Sequence, residues 1–346
     1  MFMNVAMLHC GDSPHPAHQG FADAVNADLY GLNRVPVEGI SNTIPAEILR
    51  GLQVNSYDIY IAEGTRALYG AIASQLAKDS LLIYLAADQS LFELQHYDGG
   101  SRFVNRLISR YGMELMKKTF SRFIDGVIAV SNFVADYTRE MIDVPVRIAH
   151  PYIQPNIYQQ LDAVSPSLRK KTAITVGSYS WYKGQDILPG VWARVQDEHP
   201  NAELYLVGSG YPSHFNNISG ITVCGYVSDL PAALSRAALY VHSARADAFP
   251  VSVLEGLRAG LPAVVTTTTG TKSVVESVNE EMVSKRSVDG ISTAIINYFD
   301  TSFEKRQSMS QSARVNSSPF DRDSRKSAFA EEFKKLIYDT SSGSLS

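Results

Sequence analysis

The chain has 346 residues, enough for two domains that each bury a core. Hydrophobic residues make up 45% and charged residues 19%, the balance of a globular fold rather than a disordered chain, and no apolar run approaches the ~20 residues of a membrane span. The net charge of -4 implies no general attraction to nucleic acid.

Cys10 and Cys224 stand far apart with no C-x-x-C, and the start Met-Phe-Met-Asn carries no basic leader. A cytoplasmic protein with reduced thiols is therefore expected. Asn4 to His9 reads as a buried strand. A loop with Gly11, Pro14, Pro16 and Gly20 follows, then a helix from Phe21 to Leu29. His9, Cys10, Asp12, His15 and His18 crowd that loop. Their spacing fits no zinc pattern, so they read as polar residues facing a cleft, and no metal is required.

Tyr57 to Ala62 and Leu81 to Ala87 read as further strands, with helical pattern from Arg66 to Lys78 between them. Ligands of parallel sheets bind at strand C-terminal ends, where Asp88 stands. It is either an acceptor-side acid or a turn and cap residue. Ser101 to Ile124 holds Arg102, Arg106, Arg110, Lys117, Lys118 and Arg122 against one acid, Glu114. In a helix over Ser101–Tyr111 the three arginines share one face, with Phe103, Val104, Leu107, Ile108 and Tyr111 on most of the other. Such a helix either lies on a membrane surface or covers the domain's own sheet. Gly126 to Val130 and Val146 to Pro151 complete the first domain's strands, with a helix opened by Ser131 between them.

Gln154 to Arg169, with Pro155 and Pro166, reads as a linker. The alternation then restarts. Thr172 to Val176 is a strand, and its exit loop Gly177-Ser178-Tyr-Ser-Trp-Tyr-Lys183-Gly184 offers a point charge suited to phosphate. Glu203 to Val207 is a strand ending in Gly208-Ser-Gly210, which lacks the remainder of a dinucleotide fingerprint. Ile221 to Val227 contains Gly225-Tyr226-Val227. Ala238 to His242 is a strand, and Asp247 lies on the loop after it. Ser252 starts a helix that Gly260-Leu-Pro262 stops, and a strand and a Thr-rich loop with Gly270-Thr271 follow. Asp247 and Glu255, eight positions apart, flank a helix N-terminus. That end suits phosphate, and carboxylates suit sugar hydroxyls because they only accept hydrogen bonds. Ser252-x-x-Glu255 also reads as a capping box, which would make Glu255 a helix-start residue.

The block Asp247-Ala-Phe249-Pro250 … Glu255-Gly … Gly260-Leu-Pro262 resembles the E-x7-E signature of retaining glycosyltransferase family 4. Asp247 replaces the first Glu and Pro250 the usual Gly, and Ser178 stands at an Arg position of the phosphate loop. The landmarks occur in family order from Thr172 to Glu276. The resemblance implies the GT-B fold, two α/β Rossmann-like domains facing a central cleft. The boundaries expected are 1–153 for an acceptor-side domain, 154–170 for a linker and 171–320 for a nucleotide-sugar domain. Residues 321–339 would form a helix returning to the first domain, and 340–346 a disordered tail.

It further implies transfer of a sugar, with retention, from a nucleotide-sugar to a glycan or lipid-linked acceptor, without cofactor or metal. Lys183, Asp247 and Asp88 would serve the reaction. Gly20, Gly177, Ser178, Gly208, Gly270 and Thr271 would face the donor phosphates, and Tyr226 and Val227 the base. Phe249, Pro250 and Val251 would meet sugar or phosphate oxygens, and Glu255 the ribose. No nucleophile is assignable; the leaving phosphate would take the acceptor's proton on the front face. A nucleotide-sugar 2-epimerase or a non-catalytic binder of the same fold are the alternatives. Docking of Ser101–Tyr111 on the inner face of a membrane would suit a lipid-linked acceptor.

Overall fold

The computed structural model describes residues 3–11, 14–34, 44–76, 80–92 and 114–343. Ser101–Tyr111 lies outside the described residues. The chain divides into two compact units, Met1–Tyr152 with Arg322–Ser346, and Ile153–Asp321.

The first unit holds a parallel six-stranded sheet in the order β2-β1-β3-β4-β5-β6. Its strands are β1 (Val5–His9), β2 (Asp28–Gly31), β3 (Ile59–Glu63), β4 (Leu81–Ala86), β5 (Gly126–Ala129) and β6 (Val146–Ile148). The central strands are continuous apolar runs because helices cover both faces. The long final helix, Arg322–Gly343, packs on this sheet. Its Phe329 ring stacks on Phe21 at 4.3 Å.

The second unit repeats the plan in the order β12-β11-β10-β7-β8-β9, again all parallel. The strands are β7 (Thr172–Val176), β8 (Glu203–Val207), β9 (Ile221–Gly225), β10 (Leu239–His242), β11 (Ala263–Thr266) and β12 (Val283–Ser284). Trp192 and Tyr240 are fully buried in its core. The middle of the sheet, β10-β7-β8, sends its C-terminal ends into the loops that carry Asp247, Lys183 and Gly208.

Several local expectations differ from the structure. The first helix spans Pro16–Ala24 instead of Phe21–Leu29, and residues 28–31 form β2. Asn26, at φ 51, breaks the helix in the left-handed conformation that Asn tolerates. The segment expected as linker contains the helix Pro155–Asp162. Pro155 suits a first helical position, and Leu161 buries its side chain. The final helix continues to Gly343, past the expected end at residue 339. No helix among the described residues is long and apolar enough to cross a membrane.

Candidate active site

The acid loop begins where β10 ends. Asp247 is held by backbone on both sides: its N–H donates to the Thr268 carbonyl at 3.1 Å, and its carbonyl accepts from Gly270 N–H at 2.9 Å. It forms a parallel bridge with Thr269, so the loop after β11 anchors it. Its Oδ2 lies 3.1 Å from Nε2 of the buried His242. The next helix spans Val251–Arg258 with Pro250 as its N-cap, which has no side-chain cap hydrogen bond. Ser252 is therefore inside the first turn, and the expected capping box does not form. Glu255 sits on the second turn without a hydrogen-bonding side-chain partner among the described residues, and burial pushes its carboxyl up to about 7. Gly256 follows because a Cβ there would stand 2.6 Å from the Tyr240 ring.

The phosphate loop is built from two glycines at adjacent strand ends. Gly177 has φ 143 and donates to the Val207 carbonyl at 2.8 Å; Gly208 has φ 138. A Cβ on Gly208 would overlap the Gly177 carbonyl oxygen. The Lys183 Nζ stands 2.6 Å from where a Gly177 Cβ would be. No carboxylate pairs with Lys183 among the described residues, so its charge is available at the strand end. The Ser178 hydroxyl lies 3.0 Å from that of Ser209 and links the two loops.

The acid and phosphate loops are tied together. Arg245 N–H donates to the Tyr182 carbonyl at 2.7 Å, and the Ser243 hydroxyl to the Gly184 carbonyl at 3.0 Å. The Arg245 guanidinium grips both oxygens of Asp186 at 2.6 and 2.8 Å, and Arg286 adds a bond to the same carboxylate at 3.0 Å. The Arg245 hydrogen bonds hold Asp186 below the usual carboxylate range, with the nearby positive charges adding to the effect and burial opposing it. Asp186, Arg245, Arg286 and His242 were missed in the sequence because no local spacing relates them. His242 alone carried a local signal, a polar residue closing an apolar strand.

Around this core the other expected donor contacts fall unevenly. The Thr271 hydroxyl is buried with no hydrogen-bond partner, next to Gly270. A phosphate oxygen is a fitting partner for it. The first amides of the helix after Pro250 include the unbonded donors usual at a helix start. Phe249 is buried, with its ring centroid 5.8 Å from that of Phe320. Tyr226 is 85% exposed at the end of β9 and Val227 is part-buried.

In the first unit one expected residue is buried in packing, and the other, part-exposed, holds the start of a helix. Gly20 is inside the helix Pro16–Ala24, not in a phosphate-facing loop. Its N–H donates to the Tyr152 hydroxyl at 3.2 Å, and a Cβ would stand 2.6 Å from the Tyr152 ring. It is a packing glycine. The Asp88 carboxylate accepts from the N–H groups of Thr65 and Ser90, both at 2.9 Å, and from the Thr65 hydroxyl at 3.2 Å. Those bonds make it a clamp on the start of the helix Gly64–Leu76.

A different acid closes β3. Glu63 Oε1 lies 2.7 Å from His18 Nδ1 and accepts from the His15 N–H at 3.2 Å, while its Oε2 is buried and unpaired. Burial would raise this carboxyl, but the His18 and His15 bonds outweigh it and lower it. Burial and the neighbouring His18 push His15 down to about 4, against the opposing pull of Glu63. Glu63 stands one residue past the apolar run that ends at Ala62, so the run itself does not single it out. Burial and Glu47 push the Cys10 thiol up to about 12, so it is an inert thiol. Among the described residues no group of three metal-ligating side chains could hold a metal ion.

Two parallel six-stranded Rossmann-like domains, with a lysine, two acids and glycine turns at the strand ends of the second, are the architecture of the GT-B fold. Residues 170–301, most of the second unit, match the family Glycosyl transferases group 1. An uncharacterized glycosyltransferase of Haemophilus influenzae is 22% identical over 264 residues, covering 72% of this chain and 69% of that protein. Anabaena HepE in complex with UDP-glucose superposes with a TM-score of 0.70 at 16% identity, covering 96% of this chain and all of that one. WaaG, a glycosyltransferase involved in lipopolysaccharide biosynthesis, gives 0.66 at 18% identity over 94% of this chain and 98% of its own.

Proposed function

We propose that the protein transfers a hexosyl group, with retention, from a UDP-sugar bound on the second unit to a hydroxyl of a glycan or lipid-linked acceptor. The observation that carries this reading is the placing of Lys183 and Asp247 on loops tied by Arg245 and Ser243, with Glu255 on the helix after the acid loop and the unpartnered Thr271 hydroxyl beside Gly270, whose N–H bonds the Asp247 carbonyl. Lys183 offsets negative charge growing on the leaving diphosphate. Gly177 and Gly208 let the backbone come close to it, and the Thr271 hydroxyl donates to a phosphate oxygen. Asp247 accepts from hydroxyls of the donor sugar. Glu255, once ionised, accepts from ribose hydroxyls. The acceptor oxygen bonds to C1 as the C1–phosphate bond breaks, and the leaving phosphate takes the acceptor's proton on the same face. No protein nucleophile is required. UDP-glucose is the first donor to test, since HepE is seen with it.

The acceptor side belongs to the first unit. A lipid-linked glycan is supported by the arginine pattern of residues 102–110 and by the exposed Leu115 and Lys118 beyond it. The lipopolysaccharide connection of WaaG points the same way. The protein would then act at the inner face of a membrane, with the Ser101–Tyr111 segment as its contact.

Labelled UDP-glucose incubated with the protein and separate lipid and oligosaccharide extracts tests the reaction. Acceptor-dependent release of UDP with an α-linked product is expected. Conversion of the sugar without an acceptor, or binding of several UDP-sugars with no turnover in any extract, would overturn it. For the membrane contact, co-sedimentation with anionic vesicles at low salt is expected, and a protein that stays in the supernatant sinks that part.

A further inference from the structure

We propose that His242 is a positioning residue: it ties one oxygen of Asp247 and leaves the other directed at the donor sugar. The inference rests on Asp247 as the donor-sugar acid. His242 is the last residue of β10 and is 3% exposed; Asp247, five residues on, is 15% exposed. An ionised carboxylate only accepts hydrogen bonds, so Nε2 must carry the proton it shares with Oδ2. Oδ1 has no hydrogen-bond partner among the described residues.

The backbone of Asp247 is already pinned by Thr268, Thr269 and Gly270. The freedom that remains is side-chain rotation, which for the terminal carboxylate is broad and two-fold. The imidazole removes that freedom. This matters more for Asp than for Glu. The shorter side chain has one fewer bond with which to find the sugar, so its position must be set by what surrounds it. Side chains two apart on a strand share a face, so His242 lies on the same side of β10 as Tyr240, which packs against Gly256 of the helix bearing Glu255. One strand face therefore places the acid of the sugar and the helix of the ribose acid.

A role confined to stability predicts something different, and the sugar-dependent part of binding separates the two. The full chain is titrated calorimetrically with UDP-glucose, UDP-galactose and GDP-mannose, each against its free nucleoside diphosphate. His242→Phe fills the ring's space without a donor; His242→Gln keeps a donor near Nε2. Asp247→Asn is the reference. For whichever sugar nucleotide the wild type prefers, His242→Phe should cut the preference over the free diphosphate by about tenfold, the worth of a hydrogen bond to a charged group. Diphosphate affinity itself should hold, and His242→Gln should recover most of the loss.

If Asp247→Asn loses the preference while His242→Phe keeps it, the positioning role is wrong and the reading of Asp247 stands. If Asp247→Asn keeps it, or the wild type shows no preference, both fall. Should His242→Phe fail to fold, nitrogen NMR of the wild-type imidazole decides. An Nε2–H signal that moves with the preferred sugar nucleotide but not with its diphosphate supports positioning, and one that moves equally with both overturns it.

Discussion

At the scale of single residues, the donor site separates charge that is neutralised from charge that is kept available. Asp186 is consumed by two arginines and only shapes a loop. Lys183 has no such partner and rests over Gly177. Lys183→Ala should therefore lower kcat/KM for transfer by ~10²-fold or more while leaving the melting temperature near that of the wild type, since no ion pair is lost. An unchanged kcat/KM would remove Lys183 from the site. Glu255 gives a pH prediction. Burial raises it to about 7, so below that pH it is protonated and has lost an acceptor for ribose hydroxyls. UDP-glucose affinity should rise as pH increases from about 5.5 to about 7 and level off above, and Glu255→Gln should bind weakly without that slope. The diphosphate of UDP-glucose is esterified at both ends and does not titrate there. The sign for stability is opposite. A raised carboxyl costs the fold increasingly as pH climbs from the ordinary carboxylate range through about 7. At about pH 8 Glu255→Gln should melt at or above the wild type, and at about pH 5 the two should coincide.

At the scale of elements, the strand ends of β7 and β8 form one unit with the acid loop. Gly208 is at φ 138, and the Gly177 carbonyl occupies the space that its Cβ would take. Gly208→Ala has both steric overlap with fixed backbone and a strained φ, and should destabilise the second unit by ~1–3 kcal/mol and weaken UDP-glucose binding together. Chemical denaturation and calorimetry measure the two effects. A stable Gly208→Ala with normal affinity would mean the loops are not packed as described. Gly256 follows the same logic from a side chain: the Tyr240 ring occupies the room that a Cβ would need.

At the scale of the whole molecule, the chain leaves the first unit, builds the second, and returns to complete the first. Phe329 of the final helix is fully buried and stacks on Phe21, so Phe329→Ala should cost the first unit ~3–5 kcal/mol. Trp181 and Trp192 are the only tryptophans and both belong to the second unit. Tryptophan fluorescence therefore follows the second unit, and far-UV circular dichroism follows both. In Phe329→Ala the dichroism transition should begin at lower denaturant than the fluorescence transition, with UDP-glucose affinity retained. Coincident transitions shifted equally would mean that the units unfold as one.

The sequence alone determined the two α/β halves and the order of the donor landmarks. Strands buried on both faces are unbroken apolar runs, and phosphate loops need glycine and a cation at a strand end, so both are written in neighbouring residues. Local reading faltered where one residue overrode a pattern, as when Asn26 ended the first helix and Pro155 began another in the expected linker. Only the tertiary structure decided what each candidate side chain does. Gly20 had a position suited to a ligand, but Tyr152, far away in the chain, packs against it, and Thr65 and Ser90 give Asp88 the cap role that its position also allowed. The same long-range packing brought Arg245 to Asp186 and His18 to Glu63, and the loop after β11 pins Asp247 within reach of His242. Periodicity records which way a side chain faces on its own element. Which partner it meets depends on how strands and loops distant in sequence are brought together, and no local spacing carries that information.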